Sequence, residues 1–142
     1  MREASTIEIT EGDKVLQFKI TPMSAAKAEA FIYRALLVSG GSLSALNGKF
    51  DEGKLLSSII ASADYERVKP LLDELLTGTV HRITESGEEV PVTAKNVDTQ
   101  VELPTTIMSL RASVLKATFG FFGNGGFKSF LTSLRGVLSS IG

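Results

Sequence analysis

The sequence predicts an α+β fold: a mainly helical single domain with one or two small β-hairpins and a C-terminal amphipathic helix. Three observations lead there. Strict alternation of apolar and polar residues runs through Thr6-Ile7-Glu8-Ile9-Thr10 and again through Val15-Leu16-Gln17-Phe18-Lys19-Ile20, with Glu11-Gly12-Asp13 as a turn between them. From Met23 onward the apolar spacing changes to the helical period. At the far end Phe127, Phe130, Leu131, Leu134, Val137, Leu138 and Ile141 form an unbroken helical stripe. A chain of 142 residues with 43% hydrophobic content suffices for one ordinary core.

Pro22 closes the first hairpin, and a helix is expected over residues 23–38. Ala26, Ala30, Tyr33 and Leu37 share one row of it and Phe31, Ala35 and Val38 the next, while Lys27, Glu29 and Arg34 offer polar contacts. Gly40-Gly41 ends the helix. Residues 39–53 read as a loop rich in Gly, Ser and Asn. Lys54 to Ala61 then suits two helical turns, with Leu55, Leu56, Ile59 and Ile60 inward.

Asp64 is a good N-cap for a helix to about Leu76 with Tyr65, Val68, Leu72, Leu75 and Leu76 on one face. Pro70 interrupts that pattern, so the helix either kinks or begins there. Thr79-Val80-His81-Arg82-Ile83-Thr84, the turn Glu85-Ser86-Gly87-Glu88, and Val90-Pro91-Val92-Thr93 form a second hairpin candidate, with Pro91 marking an edge strand. Pro104 at N1 starts a helix through about Thr118 whose buried row includes Ile107, Leu110, Val114 and Leu115, with Met108 beside it.

Phe119-Gly120-Phe121-Phe122-Gly123-Asn124-Gly125-Gly126 reads as a joint between this helix and the terminal stripe. The expected division is therefore residues 1–118 as the α+β domain and 119–142 as joint plus amphipathic helix. Burial of the stripe's side chains is worth about 1.5–3 kcal/mol each, so the stripe reads as a docking element. Charge divides the chain too. Residues 1–102 hold 11 basic and 16 acidic residues, whereas beyond Glu102 stand only Arg111, Lys116, Lys128 and Arg135. A basic amphipathic end on an acidic body suits an anionic lipid surface, a partner helix or a second copy of the chain.

Several chemistries are excluded or disfavoured. The chain has no cysteine, hence no disulfide and no thiolate. Its one histidine, His81, has no acid or nucleophile in a known arrangement near it in sequence, and reads as a strand residue without a catalytic task. No metal-ligand spacing and no cofactor motif are present; Gly48-Lys49 fails as a phosphate loop because Leu43 and Phe50 occupy the required Gly and Ser/Thr positions. The acidic pairs Asp51-Glu52, Asp73-Glu74 and Glu88-Glu89 read as solvated faces. Basic residues are too few for a nucleic-acid platform. No apolar run reaches the roughly 20 residues that cross a bilayer, and the amino terminus lacks a signal-peptide core, so a soluble cytosolic protein that is not an enzyme is expected.

The strand leading into Ile20-Thr21-Pro22-Met23, the Ala-rich helix with Glu29, Phe31, Arg34 and Ala35, and Val68-Lys69-Pro70-Leu71-Leu72-Asp73-Glu74-Leu75-Leu76 follow one another in an order that resembles the tail assembly chaperones of long-tailed phages. Thr105, Thr106, Leu110-Arg111, Val114-Leu115 and the aromatics Phe119, Phe121 and Phe122 resemble that family's closing helix and Phe-rich end. The resemblance spans roughly residues 15–122. It implies a non-catalytic protein that binds the tape measure protein and keeps it soluble until the tail tube polymerises, with the tail tube protein as a further partner. It also implies residence in the host cytoplasm and absence from the mature virion. The expected client contacts are Phe121, Phe122, Phe127, Phe130, Leu131, Leu134 and Leu138, with Arg34 and Arg111 as polar anchors. The stripe's alternatives are docking on the chain's own core and self-association into a homo-oligomer; for the whole protein they are a membrane-surface protein and a structural tail or head-completion protein.

Overall fold

The alternating amino-terminal segments form β1 (Ser5–Glu11) and β2 (Lys14–Ile20). The computed structural model describes residues 3–38, 52–61 and 64–120. Glu11 pairs with Lys14 across a two-residue turn in which Gly12 takes φ +59° while Asp13 keeps a negative φ, the pattern of a type II′ hairpin. That register sets Ile7 opposite Phe18 and Ile9 opposite Leu16 on the inner face, and Glu8 opposite Gln17 on the outer one. Leu16, Phe18 and Ile20 are buried, whereas Val15 and Gln17 are exposed.

The second hairpin is also present. β3 (Val80–Ile83) and β4 (Glu89–Pro91) extend an antiparallel sheet of order β1-β2-β3-β4. Pro91 stands on the edge strand, where its missing N–H costs no ladder bond to a further strand. Gly87 turns the hairpin at φ +89°. His81 lies opposite Lys19 and Pro91, partly buried, with no hydrogen-bond partner for Nδ1 among the described residues.

Helices cover the inner face of this sheet and share one core with it. The first, α1 (Ala25–Val38), starts two residues later than expected. It buries Ala28, Phe31, Ile32, Ala35 and Leu36. The row Ala26, Ala30, Tyr33 and Leu37 therefore faces outward, and Leu37 is 72% exposed. Both rows have helical spacing, and the core takes the side of Phe31 and Ala35, widened by Ile32 and Leu36, which neither row included; Val38 is only partly buried.

α2 (Glu52–Ala61) begins two residues earlier than expected and buries Leu55, Leu56 and Ile59, leaving Ile60 46% exposed. α3 (Tyr65–Glu74) buries Val68, Leu71 and Leu72, followed by Leu75 and Leu76 just past its end; Tyr65 is exposed. The helix starts five residues before Pro70 and continues through it, so Pro70 is not its beginning. Asp64 is the N-cap residue but its side chain makes no cap bond; its carbonyl accepts from the amides of Arg67 and Val68.

A short α4 (Val97–Gln100) precedes α5 (Pro104–Phe119), with Pro at the first helical position as expected. α5 buries Thr106, Leu110, Val114, Leu115, Thr118 and Phe119; Ile107 is only partly buried and Met108 faces solvent. It packs on α2 and on β2, while α1 and α3 pack on each other. The ring of Phe119, the first aromatic of the expected joint, lies 6.3 Å from that of Phe31 in the core. The remainder of the joint, the terminal stripe and residues 39–51 lie outside the described residues.

Candidate functional site

Long-range polar contacts fix how the helices present their outer surfaces. Leu103, the N-cap residue of α5, has no side chain to offer the orphan amides of the first turn. Glu11, from the distant hairpin, instead accepts from the two amides that lead into the helix and from the hydroxyl of Thr106. Its Oε2 accepts from the Leu103 amide at 2.8 Å, the Glu102 amide at 3.1 Å and Thr106 Oγ1 at 2.6 Å. Glu11 is 6% exposed. Burial opposes its ionisation, but the Thr106 hydroxyl, the Leu103 and Glu102 amides and the Arg82 charge outweigh it, so its pKa lies below the ordinary carboxylate value. Arg82 in turn donates from Nη1 to the Gln100 carbonyl at the end of α4, 3.1 Å away.

The α1–α3 seam holds a groove of about 430 Å³ whose lining includes Met23, Lys27, Arg34, Pro70 and Glu74. Arg34 pairs with Glu74 across it. Arg111 donates from Nε to the Leu72 carbonyl at 3.1 Å and is half-buried; desolvation lowers its pKa, against the charges of Asp73 and Tyr65. Both arginines expected to anchor a client thus bind the protein's own α3. Each reaches a carbonyl or carboxylate near the C-terminal end of α3, where cations are favoured.

The outer face of α1 carries one of the two apolar rows that the sequence spacing marked. Ala26, Ala30, Tyr33 and Leu37 run along it, with Glu29 beside Tyr33. Partial desolvation, then the charge and hydrogen bond of Glu29, raise the pKa of the Tyr33 hydroxyl. Phe121, Phe122, Phe127, Phe130, Leu131, Leu134 and Leu138 all lie outside the described residues, so the structure gives them no contacts. No group of three or more His, Asp or Glu side chains among the described residues is arranged to hold a metal ion. Nor is any described helix long and apolar enough to cross a membrane.

A sequence model of the family described as phage tail assembly chaperone protein matches residues 14–129, from the start of β2 to beyond α5. The chain belongs to this family. Neither a curated protein nor a solved structure matches it. The match takes in every described helix and three of the four strands, so the tail assembly chaperone signature coincides with the folded body and reaches into the Phe/Gly segment.

Proposed function

We propose that this tail assembly chaperone binds the tape measure protein and keeps it soluble until the tail tube polymerises, acting in the host cytoplasm and leaving before the virion is complete. The observation that carries the reading is the family match over residues 14–129. The role is non-catalytic: it needs reversible coverage of apolar helices and no bond making.

Two apolar surfaces suit such coverage. One is the outward row of α1; the other is the terminal stripe, with Phe121, Phe122, Phe127, Phe130, Leu131, Leu134 and Leu138 as client contacts. Residues 1–118 form the folded body in this proposal and residues 119–142 the grip, except that Phe119 packs on the body through Phe31. Such a role requires binding weak enough for tail tube protein to displace the chaperone.

Co-expression of the tape measure protein with the full chain, and with a chain stopped after Asn124, tests the reading through client solubility. Soluble complex with the full chain is the expected result. Recovery by both versions moves the grip to the helical body. Recovery by neither, with both versions folded by circular dichroism, removes the tape measure protein as client.

A further inference from the structure

The two edges of the sheet differ in kind. β4 is three residues long and carries Pro91, so that edge is blunted against further pairing. β1, at the other edge, is seven residues long, pairs with β2 without a bulge, and contains neither proline nor lysine. Among the described residues no strand pairs with its outer side, and of the described elements only β2 packs broadly on it. Ile7 and Ile9 point toward the core yet are only partly buried. A long, straight edge with unpaired backbone groups is a template for another strand.

We infer that β1 pairs antiparallel with β1 of a second copy of the chain across a two-fold axis at Ile7, joining two four-stranded sheets into one. The pairing rests on the sheet alone and does not depend on which client the chain binds.

The free backbone groups set the register. Thr21 N–H donates to the Thr79 carbonyl at 2.8 Å, on the β3 side of β2. Hydrogen-bonding direction alternates along a strand, so Leu16, Phe18 and Ile20 turn their N–H and C=O groups to β1, where Ile9, Ile7 and Ser5 face them. Thr6, Glu8 and Thr10 therefore hold theirs outward, as does Ala4 if the alternation continues one step beyond the strand. With the axis at Ile7, Thr6 meets Glu8 of the second copy and Ala4 meets Thr10, so each of these outward groups finds a partner.

The side chains agree with the same register. On the core side Ile7 meets Ile7 and Ile9 meets Ser5, which closes the open flank of the two partly buried isoleucines. On the outer side Glu8 lies against Thr6. Moving the axis to Glu8 would set two like charges opposite each other. Moving it to Ile9 would leave Ala4 unpaired and bring Ile7 against Glu11, whose carboxylate already holds the Glu102 and Leu103 amides. A patch that complements itself is what a two-fold dimer requires, and this favours a second copy over an unrelated extended segment.

Thr6→Pro tests the pairing, because it removes an outward N–H and leaves the ladder to β2 intact. Sedimentation equilibrium of the full chain should give twice the chain mass for wild type and a single chain mass for Thr6→Pro, with the circular dichroism of the two alike. Cysteine substitution reads the register separately, since the chain has no cysteine of its own. Facing residues of a non-hydrogen-bonded pair have Cα atoms about 4.5 Å apart, within the reach of a disulfide. Ile7→Cys should therefore form a covalent dimer on air oxidation. Ile9→Cys should not, because that register leaves Ile9 about 13 Å along the strand from its counterpart.

A wild-type chain that stays monomeric at its highest soluble concentration overturns the inference, as does a folded Thr6→Pro variant that remains dimeric. Should Thr6→Pro fail to fold, the cysteine variants decide. Linking at Ile9→Cys as fast as at Ile7→Cys, or at neither, overturns the register and the inference with it.

Discussion

Glu11 shows how one residue can carry a structural role that its neighbours in sequence do not reveal. It ends a strand, yet its carboxylate accepts from the amides that lead into a helix beginning 93 residues later at Pro104. Glu11→Gln keeps the size but surrenders the charge on three hydrogen bonds, so a loss of about 1–3 kcal/mol is expected from urea unfolding at neutral pH. The pH dependence has a definite sign. Because the folded pKa lies below the ordinary value of 4.5, the unfolded chain takes up the proton first as pH falls. This contribution is complete above the ordinary carboxylate range and disappears as pH drops through the folded value. Unfolding midpoints followed from pH 7 downward should therefore converge between wild type and Glu11→Gln. Phe119 is the other decisive single residue: with its ring beside Phe31 and 2% exposure, Phe119→Ala should cost about 3–5 kcal/mol in the same measurement.

Among the elements, α3 is the one whose sequence opposes its structure. Pro70 removes one backbone donor at the sixth position of a helix, and the helix persists because Val68, Leu71 and Leu72 bury its inner face. Pro70 is itself exposed, so Pro70→Ala forfeits no core packing. It should raise stability by about 1–2 kcal/mol, less than the full penalty of an interior proline because the unfolded chain also gains freedom. Thermal melts by circular dichroism check this; a lower melting temperature would show that the proline is needed for the groove at the α1–α3 seam. In α1 the spacing identified two apolar rows correctly but not which faced the core. Periodicity gives the angle between rows on a helix; it contains no reference to where the sheet lies.

For the whole molecule, the inner face of the sheet, α1, α2, α3 and α5 share one cluster that runs, among the described residues, from Leu16 to Phe119. A chain stopped after Asn124 should thus unfold cooperatively in urea, with helical circular dichroism lowered only by the residues removed. Loss of the cooperative transition would place residues 125–142 in the folding unit and cancel the proposed division at 118/119. Surface ion pairs contribute little at this scale. Lys14–Glu102 at 3.4 Å and Lys69–Asp73 at 2.9 Å are substantially exposed, so added salt should shift the melting temperature only slightly.

The sequence alone determined both hairpins, the edge position of Pro91, the start of α5 at Pro104 and the succession of elements that marks the family. Those features are local: alternation, turn residues and the conformational restriction of proline act over a few positions and need no knowledge of the rest of the chain. Tertiary structure decided the outward turn of Ala26, Ala30, Tyr33 and Leu37, the capture of Arg34 and Arg111 by α3, and the bonds of Glu11 to the start of α5. Each depends on groups distant in sequence meeting in space. An arginine or a carboxylate looks the same in sequence whether it faces a client, solvent or a helix end of its own fold, and only the arrangement of the core around it settles which.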